Sequence, residues 1–237
     1  MNHSKREIKE NAIIEVAEKV FSSVGYSNAK MESIAKEVGV SKGTVYFYFN
    51  SKENLYMAVT YKAFQTLLNM YYQCVEDNKS KNGYETVMAI MKAYLEFASK
   101  YYYSFELLMN YMSLIRANSL MQSDRISEAM RQSLYFRKIQ DIHNLPLNIV
   151  VKELKRGQED GSVLNKRNPI MLYLTAWAVV IGYTSLNITS AKSGRTTIFK
   201  VVTKDWQEYI LQLIHNILMD ASTEVYNAKN LTNSQII

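Results

Sequence analysis

Proline and glycine are scarce in this 237-residue chain, at two and eight residues. A β-sandwich needs many turns, so their scarcity argues against one and makes long helices the expectation. Cysteine is scarcer still. Cys74 stands alone, which rules out an internal disulfide framework and fits a reducing compartment. The three histidines, His3, His143 and His215, are scattered without ligand spacing, so no metal site is expected. No Ser/His/Asp or paired-carboxylate arrangement stands out. The run Ser41-Lys42-Gly43-Thr44 lacks the second glycine and the spacing of a phosphate-binding loop. The reading is therefore of a chain that is not an enzyme and calls for no cofactor. Its start is polar, without the apolar run of a signal peptide. The most apolar window, Ile170 to Ile188, is interrupted by Tyr173, Thr175, Trp177, Tyr183, Thr184, Ser185 and Asn187. That is too polar for a membrane span, so a soluble, cytoplasmic protein with no membrane partner is expected.

Nearly half of the residues are hydrophobic, at 48%, enough for a sizeable core without crosslinks. The formal charge of +6 invites a nucleic-acid reading, but its distribution does not locate one. Residues 1–60 hold eight Lys or Arg against seven Asp or Glu. Any such argument must come from local arrangement.

That arrangement is informative. Ile13, Val16, Ala17, Val20, Phe21 and Val24 form one helical stripe, which Gly25 ends. Met31, Ile34, Ala35 and Val38 form a second, short pattern ended by Gly39. Ser41 then offers an N-cap to a third helix. Asn50-Ser51 stops that helix, with Glu53 three residues after Asn50 in capping-box spacing. A fourth helix continues from Leu55 toward Val75. Two helices joined by the turn Gly39-Val40-Ser41 make a helix-turn-helix. The run Val45-Tyr46-Phe47-Tyr48-Phe49 could be a buried strand. Its bounding caps make it a short helix instead, with Val45 and Phe49 facing the core and Tyr46, Phe47 and Tyr48 turned outward.

Beyond residue 78 the chain reads as further helices. The segment 104–115 is apolar nearly all round. A helical pattern from Ile126 is expected to end or kink at Pro146, and Asn168-Pro169 is expected to start a long apolar helix as N-cap and N1. Trp206, Ile210, Leu213, Ile214 and Ile217 mark a last amphipathic helix, and the tail 223–237 is expected to be frayed. The fold expected is all-α. An N-terminal three-helix domain with the helix-turn-helix occupies 1–52, and a larger C-terminal helical bundle occupies 53–222.

The stretch from Gly25 to Val59 closely resembles the TetR family of bacterial transcriptional regulators. The resemblance rests on Gly25-Tyr26, Ile34-Ala35, Gly39 to Thr44, Val45-Tyr46, Tyr48-Phe49, Ser51-Lys52-Glu53 and Leu55, and it covers about residues 8 to 60. It implies that residues 42–49 are a DNA recognition helix. Ser41 and Thr44 then place hydroxyls, and Gly43 bare backbone, where a helix N-terminus favours a phosphate. Lys42 can reach a guanine edge or a phosphate. Tyr46 and Tyr48 resemble residues whose polar tips reach the DNA backbone, and Phe47 can meet a thymine methyl. Lys52 is the expected phosphate anchor, and Lys5, Arg6 and Lys9 form an arm that adds to it. The family usually has Thr or Ser where this chain has Lys30. A lysine reaches a phosphate but cannot cap in the same way, which leaves Asn28 as an alternative cap.

The resemblance also implies a dimer through the last two long helices (about 169–188 and 204–221) and a small-molecule effector. Met88, Met91, Tyr94, Met109, Tyr111, Met112 and Trp177 suit an adaptable, mainly apolar pocket, although each equally suits a helical core. Gly182, inside an apolar helix, suits a close crossing at the dimer interface. The function implied is a repressor that holds a double-stranded DNA operator and is released by its effector. A DNA-associated structural or division factor using the same module is the alternative, and a helical enzyme with a chance N-terminal match is the third reading.

Overall fold

The computed structural model describes residues 4–119, 126–192 and 203–222. Among them are eleven helices and no strand: α1 (Lys5–Asn28), α2 (Met31–Val38), α3 (Lys42–Tyr48), α4 (Lys52–Asp77), α5 (Gly83–Lys100), α6 (Tyr102–Ser119), α7 (Glu128–Arg131), α8 (Leu134–Ile142), α9 (Leu145–Glu159), α10 (Pro169–Lys192) and α11 (Thr203–Met219). The helices gather into two compact units. One contains α1 to α3, the first part of α4, α6, α7 and α8; the other contains the end of α4, most of α5 and α9, and α10 and α11.

In the first unit, Ile13, Ala17, Val20 and Phe21 of the stripe read on α1 are buried, whereas Val16 is half-buried and Val24 exposed. Ile34 and Ala35 of α2, Val45 and Phe49 at α3, and Leu55 and Val59 of α4 are buried as well. Each Ile, Val, Leu or Phe among them, fully buried, contributes about 1.5–3 kcal/mol. The N-terminal arm is helical. Ser4 caps α1 in a capping box with Glu7, which places Lys5, Arg6 and Lys9 on ordered turns. Gly25 does break α1 as expected of it, with φ 79° and ψ 155°, a conformation that L side chains rarely adopt. The chain nevertheless adds one more turn through Asn28. Asn28 donates its side-chain amide back to the Val24 carbonyl at 3.0 Å and so does not cap α2.

Two further boundaries differ from expectation. The cap of α4 is Ser51 rather than Asn50, its hydroxyl accepting from the Asn54 N–H at 3.1 Å. Pro146 begins a helix instead of ending one, as the second residue of α9. Within a first turn the missing N–H costs nothing, because that group has no helical partner in any case.

In the second unit, α10 and α11 pack side by side, with the Tyr183 and Trp206 rings edge to face at 4.9 Å. Buried Asn165 ties the loop before α10 to the end of α11, donating to the Ile217 carbonyl at 2.8 Å while its own N–H reaches the Leu218 carbonyl at 3.0 Å. As expected, Asn168 caps α10, its side-chain oxygen accepting from the Ile170 N–H at 2.8 Å. Where α5 meets α9, a Cβ on Gly83 would lie 2.2 Å from the Gly157 nitrogen, so that position requires glycine, and a Cβ on Gly157 would lie 2.5 Å from a Val163 methyl. Helix α10 is long and apolar enough over Pro169–Asn187 to pass the length and composition test for a membrane span, but Leu172, Tyr173, Ala176, Val180 and Tyr183 are turned into the unit. The polar segment after Asn187 begins as a continuation of α10 to Lys192; its remainder and the tail 223–237 lie outside the described residues.

Candidate nucleic-acid interface

The turn between α2 and α3 is built by local rules. Gly39 is left-handed at φ 76° and ψ 37°, the conformation that glycine adopts without penalty. It lets the Val40 N–H close on the Ala35 carbonyl at 3.0 Å. Ser41 follows as the N-cap of α3, its hydroxyl accepting from the Thr44 N–H at 3.0 Å and lying 2.9 Å from the Thr44 hydroxyl. Gly43 faces open space, with only Ser41 Oγ at 3.8 Å from where a Cβ would sit.

Within α3 the aromatics divide by helical phase. Val45 and Phe49 are buried, while Tyr46 is 39% and Phe47 70% exposed. Tyr48 is half-buried, with its ring edge-on to Phe47 at 5.5 Å. An exposed phenylalanine gains nothing from water, so this face suits an apolar contact. Arg6 of α1 lies 5.9 Å from the Phe47 ring centroid, adding a cation to the same face. That position was legible only as part of a basic arm.

The cations are less free than their sequence suggests. Lys42 is ion-paired with Glu32 of α2 and lies 5.8 Å from the Tyr46 centroid. The Lys42 hydrogen bond holds the Glu32 carboxyl below its ordinary range, and the same bond raises the Lys42 ammonium. Both partners are exposed, so salt screens the pair and a phosphate competes with Glu32 for Lys42. Lys30 occupies the N-cap position of α2 in extended conformation without a capping bond, leaving its ammonium at the exposed start of that helix.

Lys52 departs from expectation. Its ammonium donates to the carbonyls of Tyr26 at 2.9 Å, Ser27 at 3.3 Å and Ala29 at 3.1 Å, and it sits 4.5 Å from the Tyr26 ring centroid. An ammonium has three donors, and all three are committed to the C-terminal turn of α1. Lys52 thus caps α1 in this structure, a contact that competes with the expected role of phosphate anchor. The break at Gly25 delivers Tyr26 to this spot, where its ring lies 5.7 Å from Phe21 and 4.7 Å from Tyr56. Burial, followed by the charge of Glu53, pushes the Tyr26 phenol well above its ordinary value. The backbone N–H at the start of α4 holds the Glu53 carboxyl below its ordinary range, with Ser51 and Tyr26 donating as well.

The seven residues expected to line an effector pocket fall in both units. Met109, Tyr111 and Met112 lie in the first; Tyr111 is buried and Met112 exposed. Met88, Met91, Tyr94 and Trp177 lie in the second, where Met91 and Tyr94 are buried and Met88 and Trp177 half-buried. Burial raises the Tyr94 phenol, and a hydrogen bond with Trp177 opposes that rise.

The module described here matches the family model for bacterial regulatory proteins, tetR family, over residues 13–59. An uncharacterised HTH-type transcriptional regulator of Bacillus subtilis, YuxN, is 44% identical over 64 residues, which span 27% of this chain and 19% of the relative's length. Among solved structures, the transcriptional regulator FadR from Bacillus subtilis in complex with stearoyl-CoA aligns with TM-score 0.59 at 18% identity. The alignment covers 90% of this chain and 98% of that one. A transcriptional regulator from Saccharomonospora viridis in complex with choline aligns with TM-score 0.62 at 14% identity, covering 90% and 97%. Those similarities are of fold, whereas the N-terminal match extends to the turn, cap and core residues traced above. Residues 13–59 thus carry the module of the bacterial regulatory proteins of the tetR family, and the chain as a whole shares the fold of the solved regulators.

Proposed function

We propose that this regulator is a repressor that binds a palindromic operator as a homodimer and is released by a small, largely hydrophobic effector. The observation that carries the reading is the division of α3. Val45 and Phe49 are buried, Tyr46 and Phe47 are exposed, and a capped N-terminus carries Ser41, Gly43 and Thr44 on the same short helix. Such a helix can enter a major groove with its hydroxyls and backbone on phosphates and its aromatic tips at the groove floor. Lys30 and Lys42 supply charge beside it, and Tyr48 its edge.

The dimer reading is supported by α10. Met171, Leu174, Thr175, Ala178, Gly182, Ser185 and Leu186 are all exposed, follow helical spacing and include no charge. Among the described residues nothing beyond the helix's own nearby backbone lies within 4 Å of where a Gly182 Cβ would sit, which leaves that face open to a close crossing with a second copy. Tyr209 of α11, 68% exposed, extends the surface. Two such chains place their α3 helices in successive major grooves when the half-sites lie one turn, about 34–36 Å, apart. The effector is read from the Met- and aromatic-rich interior of the second unit, around Met91, Tyr94 and Trp177, which suits an apolar ligand. It acts by preferring a state with another helix separation.

The test is nuclease protection of the DNA upstream of the chain's own gene, titrated with stearoyl-CoA and with choline chloride. A two-fold symmetric footprint, lost on adding the acyl thioester and indifferent to choline, supports the reading. Ligand-insensitive binding at dispersed sites would favour the structural or division factor. Replacement of Phe47 by Ala with an unaltered footprint would remove α3 from the interface.

A further inference from the structure

Helix α8 has two working faces. It is nine residues long and capped by buried Ser133. On one face Phe136 and Ile139 are buried, and the Phe136 ring lies 6.2 Å from Tyr111 of α6. His143, one residue beyond the helix, lies 6.3 Å from the same ring. The neighbouring residue Tyr135 points about 100° away round the helix. Its ring lies 6.2 Å from Phe49 with the planes 30° apart, and 5.6 Å from Tyr61. Its hydroxyl donates to Glu10 of α1 at 2.6 Å.

Phe49 closes the recognition helix, with its N–H on the Val45 carbonyl at 2.9 Å and its ring buried. Tyr135 therefore grips the end of α3 and the first half of α1 together. Lys138, one turn on, stands 4.9 Å from the Tyr135 centroid and 5.5 Å from that of Tyr61. Beside this cluster runs a groove of about 640 Å³, walled by Glu10, Tyr61, Tyr135 and Lys138, which gives the Tyr135 ring room to leave Phe49.

The buried face of the same helix meets a second unusual group. Tyr111 is 2% exposed, yet its hydroxyl has no hydrogen-bond partner among the described residues. Phe64, Phe136 and His143 supply only ring contacts to it. A buried hydroxyl without a partner is costly relative to a satisfied one, so any arrangement that gives it a partner is favoured. Because Phe136 and Tyr135 are adjacent on one short helix, a shift of that helix that carries Phe136 off Tyr111 also moves Tyr135.

We propose that α8 is a lever in which Tyr135 is the positioning residue that carries a displacement at Tyr111 to the recognition helix. A change that pushes Phe136 off Tyr111 rotates Tyr135 away from Phe49 and Glu10 and frees the C-terminal end of α3. Close-packed contacts switch between discrete arrangements rather than deforming smoothly, so the response at α3 is all-or-none. The proposal rests on the repressor reading only in taking α3 as the DNA helix, because the coupling lies within one chain.

The test is hydrogen exchange of residues 45–49 in the DNA-free, full-length protein, read by mass spectrometry, so the lack of any operator would leave it intact. Phe136→Leu should speed exchange there about ten-fold. In a Tyr135→Ala background, already fast, it should add nothing. Tyr135→Phe, which keeps the ring and loses the Glu10 bond, should fall between. Equal effects of Phe136→Leu in both backgrounds, or no effect in either, would overturn the proposal. Should Phe136→Leu fail to fold, Tyr111→Phe serves instead, since it removes only the unpartnered hydroxyl. It should slow exchange at 45–49 several-fold when Tyr135 is present and leave it unchanged in Tyr135→Ala; the same change in both backgrounds counts against the lever.

Discussion

Replacing Lys52 with Met separates two roles that its position allows. The substitution keeps an unbranched apolar stem beside Tyr26 and removes the ammonium. Three carbonyls at the end of α1 then lose a charged donor, at 2.9, 3.3 and 3.1 Å. Hydrogen bonds to a charged group contribute about 1.5–3 kcal/mol net. The lower half of that range applies to all three together, because Lys52 is only half-buried and water can reach the carbonyls once it is gone. Loss of the cation over the Tyr26 ring adds about 0.5–1 kcal/mol. The expected destabilisation is therefore about 2–3 kcal/mol, or a melting temperature lower by about 4–12 °C for a chain of this size.

Two readouts keep the result specific. Both tryptophans, Trp177 and Trp206, lie in the second unit, so their fluorescence reports that unit while hydrogen exchange at residues 25–29 reports the site itself. Exchange at 25–29 should accelerate in Lys52→Met with the tryptophan transition little changed. A phosphate anchor behaves differently: its loss reduces the slope of log affinity against log salt by about 0.9 and leaves the free protein unaltered. Unchanged stability and exchange, together with that smaller slope, would refute the capping role and return Lys52 to the DNA.

Three other substitutions follow from the same structure. Glu32→Gln should tighten DNA binding roughly two- to five-fold at low salt and less at high salt, because it frees Lys42 and removes a negative charge near the phosphates; gel-shift titrations at two ionic strengths check this. Gly83→Ala should cost about 1–3 kcal/mol or more in a urea melt followed by tryptophan fluorescence, since the new methyl would lie against the backbone of Gly157 and one helix must retreat. The Asp220 carboxyl is held at about 2, first by the Ser222 hydroxyl and then by Arg167 at 2.7 Å. A lowered carboxylate contributes stability that is complete above its ordinary value and is lost as pH falls through the folded one. The urea midpoints of wild type and Asp220→Asn should therefore differ at pH 5 and converge as the pH is taken from 4 to 2.

The parts of the interface that were legible from sequence are those whose cause lies within a few residues. Gly39 needs only its own backbone, Ser41 only the N–H of Thr44, and the split between buried Val45 and Phe49 and exposed Phe47 only the helical period. Pro146 shows the limit of local signals, since the same ring that breaks a helix interior is harmless in a first turn, and the sequence does not say which turn it occupies. Lys52 shows a different limit. Its carbonyl partners lie 23 to 26 residues away, and they are orphaned only because Gly25 breaks α1 and adds a further turn whose carbonyls face α4. A lysine one residue after a helix cap looks the same in sequence whether it points at DNA or at the protein. The difference is decided by which unsatisfied acceptors the fold brings within reach, and buried or half-buried carbonyls must find a donor. Tyr135 extends the argument, since it meets Phe49 across 86 positions and Glu10 across 125. No periodicity in α8 could have indicated that Tyr135 packs against the end of α3. Domain boundaries drawn in chain order share this blindness, because α6, α7 and α8 return to the unit that contains the DNA module.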